Sequence, residues 1–167
     1  MKKIIECVPN FSEGRDLSII KQITDTIESV QGVELLDVDP GESTNRTVVT
    51  FIGEPDPVKE AAFRAVQKAA DLIDMSKHHG EHARFGATDV CPFVPVAGAT
   101  MEDCVTIARA VGERWASRIW SNDTSLWTDD PDVAEAIAHR LGWLFAPTYF
   151  EDEVAELTAF GERIEAA

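Results

Sequence analysis

The spacing of the apolar residues changes several times along the chain, and this alternation constrains the fold more than any other feature. Runs of β-branched and other apolar residues, which favour strands, occur at residues 4–11, 33–38, 47–52 and 89–96. Apolar residues at three- and four-residue steps, which favour helices, occur within residues 16–30, 58–73 and 100–111. The predicted inner face of the first helix runs from Leu17 to Val30, and that of the third consists of Cys104, Ile107, Ala108 and Val111. The order β-α-β-β-α-β, followed by α, is that of the split β-α-β or ferredoxin-like arrangement. We therefore predict an α/β (α+β) fold with a four-stranded sheet that carries two helices on one face.

Short local signals predict where several of these elements begin and end. Asp39-Pro40-Gly41 is a strong turn sequence directly after the second strand. Thr100 and Asp103 have the spacing of a capping box and would open the third helix. The first strand, in residues 4–11, is expected to end at Pro9. Because proline lacks a backbone N–H, Pro92 and Pro95 predict that the last strand is an edge strand or an irregular one.

Composition and charge exclude several classes of protein. The 167 residues are 44% apolar, which is enough to build a core, and the net charge of −15 leaves no basic footprint for a nucleic acid. No run approaches the 18 apolar residues of a membrane span, and the apolar run at the N-terminus is too short for a signal peptide. The three cysteines, Cys7, Cys91 and Cys104, have no metal-binding spacing. We expect a cytoplasmic protein with no nucleic-acid or membrane partner.

The charge and the aromatic content change near residue 116. Residues 1–115 carry a net charge of −7, and the much shorter segment 116–167 carries −8. All four tryptophans and the single tyrosine lie at or beyond position 115. We therefore divide the chain into a sheet domain, residues 1–116, and an acidic helical tail, residues 117–167. The tail is expected to cover the open face or edge of the sheet. Sheets that are open on one face usually pair with another surface, so we also expect a homodimer or larger assembly.

Three polar clusters follow or precede predicted strands, where rigid elements present side chains to a ligand. They lie at residues 10–15, 37–46 and 78–89. A helix N-cap at Ser12 or Asp16 explains the first cluster equally well. Turn formation explains most of the second cluster. Arg46 directly precedes a buried strand, however, so it needs an acidic partner or a bound anion.

The third cluster concentrates groups that titrate near neutral pH. His78, His79, Glu81 and His82 lie within five residues, which suits proton transfer. His78 and His82 are four residues apart, as in some metal sites, but Gly80 argues against a helix and no HExxH motif occurs. We expect no metal, although a metal site and a merely solvated loop are both alternatives.

The reaction that fits these residues best is a direct transfer with histidine as acid and base. No serine or cysteine in a nucleophile setting accompanies the cluster, so covalent acyl transfer is not expected. Asp89 could orient an imidazole, as the carboxylate of a catalytic triad does.

Three segments that contain these clusters resemble glutamate formimidoyltransferase. They read ECVPNFSEGR at 6–15, LLDVDPGESTNRTV at 35–48 and LIDMSKHHGEHARFGATDVCPFVPV at 72–96, within a match over residues 3–115. That family transfers a formimino group from N-formimino-L-glutamate to tetrahydrofolate in histidine degradation. The resemblance implies tetrahydrofolate as co-substrate and His82, in the Gly-Glu-His triplet, as the catalytic acid–base group. It also implies that folate and substrate lie along Asn10, Asp39, Thr44, Asn45, Arg46, Glu81, Arg84 and Asp89.

The chain departs from the family pattern in two ways. The family usually has Lys-Gly-Glu-His-Pro-Arg, whereas here His79 replaces the lysine and Ala83 the proline. The family's transferase unit has two ferredoxin-like subdomains with folate between them, and this chain has room for the first. A separate second subdomain is therefore an expected partner, and the alternative is a non-catalytic remnant or fusion product that acts as a ligand-binding or interaction module. Residues 117–167 are instead similar to the helical lead-in of a glucose-6-phosphate isomerase-like sequence.

Overall fold

A computed structural model of the protein describes residues 2–81 and 86–121, the last six of them by their backbone. It is an α+β structure with strands β1 Ile4–Cys7, β2 Asn10–Phe11, β3 Val33–Gly41, β4 Arg46–Gly53, β5 Thr88–Val90 and β6 Phe93–Ala97. The helices are α1 Leu17–Glu28, α2 Pro55–Leu72 and α3 Met101–Ser121, and a short 3₁₀ turn spans Met75–Lys77. None of the helices in these ranges is long and apolar enough to cross a membrane. Helix α3 continues past residue 116, and the rest of the predicted tail, residues 122–167, lies outside the described residues.

Within the described residues the sheet is antiparallel and has six strands rather than the four predicted. Its order is β5-β2-β4-β1-β6, and β3 pairs with the central strand β4. The two extra strands arise at prolines: the chain forms a second strand directly after Pro9, where the first strand was expected to end, and Pro92 interrupts the strand predicted at 89–96. The two interruptions lie beside each other, since the Val8 N–H donates to the carbonyl oxygen of Pro92 at 3.2 Å. As predicted for a proline-containing strand, β5 and β6 are irregular, and among the described strands each pairs on one side alone, β5 with β2 and β6 with β1.

The predicted turn at Asp39-Pro40-Gly41 is wrong, because β3 continues through it. Asp39 pairs with Val48, and Gly41 pairs with Arg46. Pro40 is tolerated because, among the described strands, β3 pairs with β4 on one side, and an edge strand needs no donor on its other side. The chain turns at residues 42–45 instead.

The core lies between one face of the sheet and the three helices. Alternate residues of β4 are buried, and Thr47, Val49 and Phe51 face the helices. The predicted inner face of α3 is confirmed, because Cys104, Ile107, Ala108 and Val111 are all buried. Leu17 was predicted on the inner face of α1 but is 60% exposed. It is the first residue of the helix and precedes the buried stripe that begins at Ile20.

The helix starts are fixed by side-chain caps. Asp16, rather than Ser12, is the N-cap of α1, and its carboxylate accepts the Ser18 N–H at 2.9 Å. The capping box of α3 is confirmed: the Thr100 N–H donates to Asp103 Oδ2 at 2.9 Å, and the Asp103 N–H donates to Thr100 Oγ1 at 3.3 Å. These bonds satisfy N–H groups that have no partner within the helix.

Candidate functional site

The first and third polar clusters meet beside β2 and β5. Ser12 is fully buried; its N–H donates to the carbonyl oxygen of Ala87 at 2.8 Å, and its hydroxyl donates to that of Gly86 at 2.6 Å. Thr47 in β4 donates its hydroxyl to the carbonyl oxygen of Glu13 at 2.6 Å. These bonds hold the chain after β2 between the start of β4 and the segment before β5.

Glu13 holds the three residues before α1 with its own side chain. Its Oε1 accepts the N–H groups of Gly14, Arg15 and Asp16 at 3.0, 2.8 and 2.9 Å. Successive N–H groups that converge in this way form an anion-binding concavity, here filled by a carboxylate of the same chain. Sequence reasoning missed this role, and the available signal was an acidic residue close before the helix start.

The first cluster also packs directly on the second. A Cβ atom at Gly14 would lie 2.5 Å from the backbone nitrogen of Arg46 and 3.0 Å from its carbonyl oxygen. Real Cβ atoms do not approach backbone atoms this closely, so the segment after β2 can lie here because residue 14 has no side chain.

Arg46 and Asp89 form a largely buried ion pair across the site. Arg46 Nη1 lies 3.4 Å from Asp89 Oδ2, and the two side chains are 19% and 4% exposed. The prediction that Arg46 needs an acidic partner or a bound anion is therefore confirmed, and the acidic partner is Asp89. Both charged side chains are buried enough to require a partner of opposite charge, because the transfer of an ion out of water is costly. The predicted contacts of Arg46 and Asp89 with substrate stay predictions.

Asn45 joins the second cluster to the histidine-rich loop. Its Nδ2 donates to the carbonyl oxygen of His79 at 3.2 Å, and its own carbonyl oxygen accepts from His78 Nε2 at 3.0 Å. The exposed Glu81 is attached to the same turn, since its N–H donates to the carbonyl oxygen of Ser43 at 3.3 Å. The turn at 42–45 thus holds the loop that leads to position 82.

The remaining predicted residues lie along the sheet and the turn. Asn10 and Asp39 both pair with Val48, from opposite sides, so the three side chains share one face of the sheet. Asn10 is 7% exposed and donates to the carbonyl oxygen of Val8 at 3.0 Å, whereas Asp39 is exposed. Thr44 donates its hydroxyl to the carbonyl oxygen of Gly41 at 3.2 Å.

Two predicted site residues, His82 and Arg84, lie outside the described residues. The loop that leads to them starts from a well-capped turn. Asp74 accepts the Ser76 N–H at 3.0 Å and lies 2.8 Å from Lys77 Nζ, and the hydrogen bond from Lys77 is the main reason that the pKa of Asp74 falls to about 2. In residues 2–81 and 86–121 the structure has no group of three or more His, Cys, Asp or Glu side chains arranged to hold a metal ion.

Two buried thiols lie close together, one beside each of the two strand interruptions. Cys7 ends β1 and Cys91 lies between β5 and β6, and their Sγ atoms are 3.6 Å apart. Burial raises the pKa of Cys7 well above its ordinary value, and the Cys91 thiol adds to the shift. Since the thiolate is the reactive form, this pair is not suited to nucleophilic catalysis.

Known proteins are similar to the part of the chain that contains the three polar clusters. A family model described as "Formiminotransferase domain, N-terminal subdomain" matches residues 4–126. The chain belongs to this family. The match includes all three clusters and extends beyond the described end of α3.

Relatives with curated names agree with this assignment. The chain is 57% identical over 119 residues to the formimidoyltransferase-cyclodeaminase of Dictyostelium discoideum, a match that covers 71% of this chain and 22% of that protein. It is 51% identical over 114 residues to the glutamate formimidoyltransferase of Streptococcus pyogenes serotype M1, covering 68% of this chain and 38% of that protein. The formiminotransferase subdomain therefore spans less than half the length of these relatives.

Proposed function

We propose that this chain supplies the N-terminal half of a folate-dependent formiminotransferase. The reaction is the transfer of a formimino group from N-formimino-L-glutamate to tetrahydrofolate. The observation that carries the proposal is the family match over residues 4–126, which contains every candidate site residue. The printed names of the relatives, glutamate formimidoyltransferase and formimidoyltransferase-cyclodeaminase, support the same transfer.

In the proposed reaction a ring nitrogen of tetrahydrofolate attacks the formimino carbon. A new nitrogen–carbon bond forms, and the bond from that carbon to the glutamate nitrogen breaks. His82 accepts the proton of the attacking nitrogen and later gives one to the departing glutamate nitrogen. The support for His82 is its place in the Gly-Glu-His triplet, one residue after Glu81.

In this proposal the arginines and several polar side chains of the site bind folate and substrate. Arg46 and Arg84 hold substrate carboxylates, for which the planar guanidinium fork is well suited. Glu81 or Asp89 orients His82. Asn10, Asp39 and Thr44 line the folate path, which the shared sheet face of Asn10 and Asp39 supports. Because the chain carries a net charge of −15, binding of the anionic folate tail depends on these local cations and weakens with added salt.

The ferredoxin-like arrangement is part of the proposal. Its support is the order of the long strands, in which β3, β4, β1 and β6 are neighbours and are all antiparallel. A second subdomain, or a second copy of the chain, completes the assembly. The exposed side chains of Leu36, Val94 and Val96, which are 49%, 39% and 57% exposed, support such a partner.

The division at residue 116 and the cytoplasmic location also belong to the proposal. The high negative charge and the tryptophans of residues 117–167 support a separate tail that contributes no catalytic residue. The three cysteines are free thiols, which supports a reducing compartment.

The test combines binding with turnover. Tetrahydrofolate is titrated into the full chain by calorimetry, and formation of formimino-tetrahydrofolate is then followed by mass spectrometry. A second assay adds the separately produced second subdomain of a related glutamate formimidoyltransferase. Turnover in either assay supports the proposal. Folate binding without turnover in both assays supports a non-catalytic ligand-binding module instead, and the absence of both binding and turnover contradicts the proposed function.

A further inference from the structure

The side chain of Glu6 lies on the face of the sheet that points away from the helices. In β1, Ile5 and Cys7 are fully buried in the core, so Glu6 between them projects from the opposite face. It is half-buried there, in a strand that has a neighbour on each side. Glutamate is depleted at such positions, which usually hold β-branched or aromatic side chains.

Apolar side chains surround this carboxylate on three sides. Across the strands, Glu6 pairs with Ile52 of β4 on one side and with Val94 of β6 on the other. Along its own strand, the next residue on the same face is Ile4. Ile4 and Ile52 are half-buried and Val94 is 39% exposed. The three side chains therefore form an apolar surface around one negative charge.

The Glu6 carboxylate has no hydrogen bond and no ion pair in the part of the chain that the structure describes. The two lysines nearest to it along the chain pair with other carboxylates. Lys2 Nζ lies 2.8 Å from Glu54 Oε1, and Lys3 Nζ lies 2.6 Å from Asp103 Oδ1. A half-buried carboxylate among apolar side chains loses part of its hydration without a bond that compensates for it. Glu6 is therefore suited to a ligand that brings its own N–H donors.

We propose that Glu6 binds the pterin ring of tetrahydrofolate at the edge that carries N3–H and the 2-amino group. These two donors are parallel, as in a guanidinium group, and a carboxylate can accept such a pair with its two oxygens. Ile4, Ile52 and Val94 give the flat ring an apolar surface. The formimino group of the other substrate also carries N–H donors, but it has no ring to cover that surface. This inference rests on the proposed function, which makes tetrahydrofolate the ligand.

Glu6 lies on the sheet face that the proposed folate path follows. Val48, which pairs with Asn10, and Ile52, which pairs with Glu6, are on the same face of β4. They are four residues apart, and at about 3.3 Å per residue this corresponds to about 13 Å. The pterin ring at Glu6 thus lies at one end of the path. The anionic tail extends toward Arg46 at the start of β4, where the proposed function requires a cation.

A cycle of protein and ligand variants tests this contact. Calorimetry measures binding of tetrahydrofolate, and of an analogue with a methyl group in place of the 2-amino group, to the full wild-type chain and to Glu6→Gln. We expect Glu6→Gln to weaken tetrahydrofolate about 10- to 10²-fold, because it removes charge-assisted hydrogen bonds. The methyl analogue should bind both proteins with similar affinity. Unchanged binding of tetrahydrofolate, or equal weakening of both ligands, would overturn the contact.

Glu34→Gln is the matched control. Glu34 also pairs with Ile52, from the side opposite to Glu6, and it is exposed, so the variant removes the same charge from the same sheet face. Tetrahydrofolate should bind this variant as it binds the wild type. An equal change of affinity in the two variants would reveal a general effect of net charge and would overturn the direct contact.

Urea denaturation without ligand separates binding from a structural role. Because the Glu6 carboxylate has no partner in the described part of the chain, Glu6→Gln should be at least as stable as the wild type. A lower urea midpoint would show that the carboxylate stabilises the fold through a partner of its own and would overturn the proposal.

Two further ligands distinguish the pterin from the formimino donor. Glu6→Gln should weaken 6-methyltetrahydropterin, which lacks the folate tail, and leave N-formimino-L-glutamate unchanged. The reverse result would overturn the pterin contact. Formimino transfer by a Glu6→Gln chain that binds tetrahydrofolate normally would leave the proposed function standing and overturn this inference. Glu6-dependent pterin binding without transfer by the wild type would support this inference and contradict the proposed function. No binding of either pterin compound, with the second subdomain present, would overturn both.

Discussion

The α-carbon of Gly14 lies so close to Arg46 that a Cβ atom there would be 2.5 Å from the Arg46 backbone nitrogen. This approach brings the segment after β2 against the start of β4, where the second polar cluster begins. The contact is between backbones, so a side chain at position 14 can be accommodated only by moving one of the two segments.

We expect Gly14→Ala to lower the free energy of unfolding by about 1–3 kcal/mol, the usual cost of overpacking. Urea denaturation measures this change. Gly86→Ala is the matched control, because a Cβ there would be 3.5 Å from the nearest atom, the Thr88 carbonyl oxygen, an ordinary contact. The control should stay within about 0.5 kcal/mol of the wild type. Equal losses in the two variants would contradict the close packing of Gly14 and Arg46.

The ion pair between Arg46 and Asp89 should show strong coupling in a double-mutant cycle. The variants are Arg46→Met, Asp89→Asn and the combination of the two, all measured by urea denaturation. Asp89 is 3% exposed, so removal of the arginine charge leaves a buried carboxylate and should cost more than Asp89→Asn. We expect a coupling free energy of about 1–3 kcal/mol. Additive losses would show that the two side chains do not interact.

The sequence predicted most elements, because apolar spacing reports which residues face the core. The buried residues of α3 match the prediction, and so does the order of strands and helices. The number of strands was wrong, since a second strand forms directly after Pro9 and Pro92 interrupts the last one. The turn before β4 was placed too early, because the pairing of Pro40 with Thr47 depends on the edge position of β3, which local turn signals do not contain.

The sequence predicted which residues form the candidate site, but it did not predict which of them contact one another. Arg46 was expected to need an acidic partner, yet nothing in the spacing identified Asp89, which lies far along the chain. The bonds of Glu13 to the residues before α1 and the contacts of Asn45 depend on backbone geometry that only the folded structure provides. The predicted contacts with folate and substrate stay predictions.

Acid should weaken the attachment of α3 to α2. Glu60 of α2 accepts from Arg114 of α3 and from Arg64 Nε at 2.6 Å, and the Arg114 bond is the main cause of the lowered pKa of Glu60. A carboxyl whose folded-state pKa is depressed stabilises the fold above its unfolded pKa, and this contribution is lost as the pH falls through the folded-state pKa. Glu60→Gln should therefore cost about 0.5–1 kcal/mol at pH 7 and less at pH 3 in urea denaturation. An equal cost at both pH values would contradict the ion-pair account.

The buried thiols should be protected from alkylation in the folded protein. Burial raises the pKa of Cys7 and of Cys104, and Cys91 is equally buried beside Cys7. We expect iodoacetamide at pH 8 to label the native chain far more slowly than the chain in urea. Peptide mapping by mass spectrometry assigns the modified residues. Rapid labelling of Cys7 or Cys91 in the native protein would contradict the burial of this pair.

The most direct test of the proposed function is the turnover of His82→Gln with N-formimino-L-glutamate and tetrahydrofolate, measured with the second subdomain present. Loss of a general acid–base group should lower kcat about 10²- to 10⁴-fold, with little change in the folate dissociation constant. His139→Gln, a histidine outside the three clusters, is the control and should keep wild-type turnover. If His82→Gln turns over as fast as the wild type, the central assignment of acid–base catalysis to His82 is contradicted.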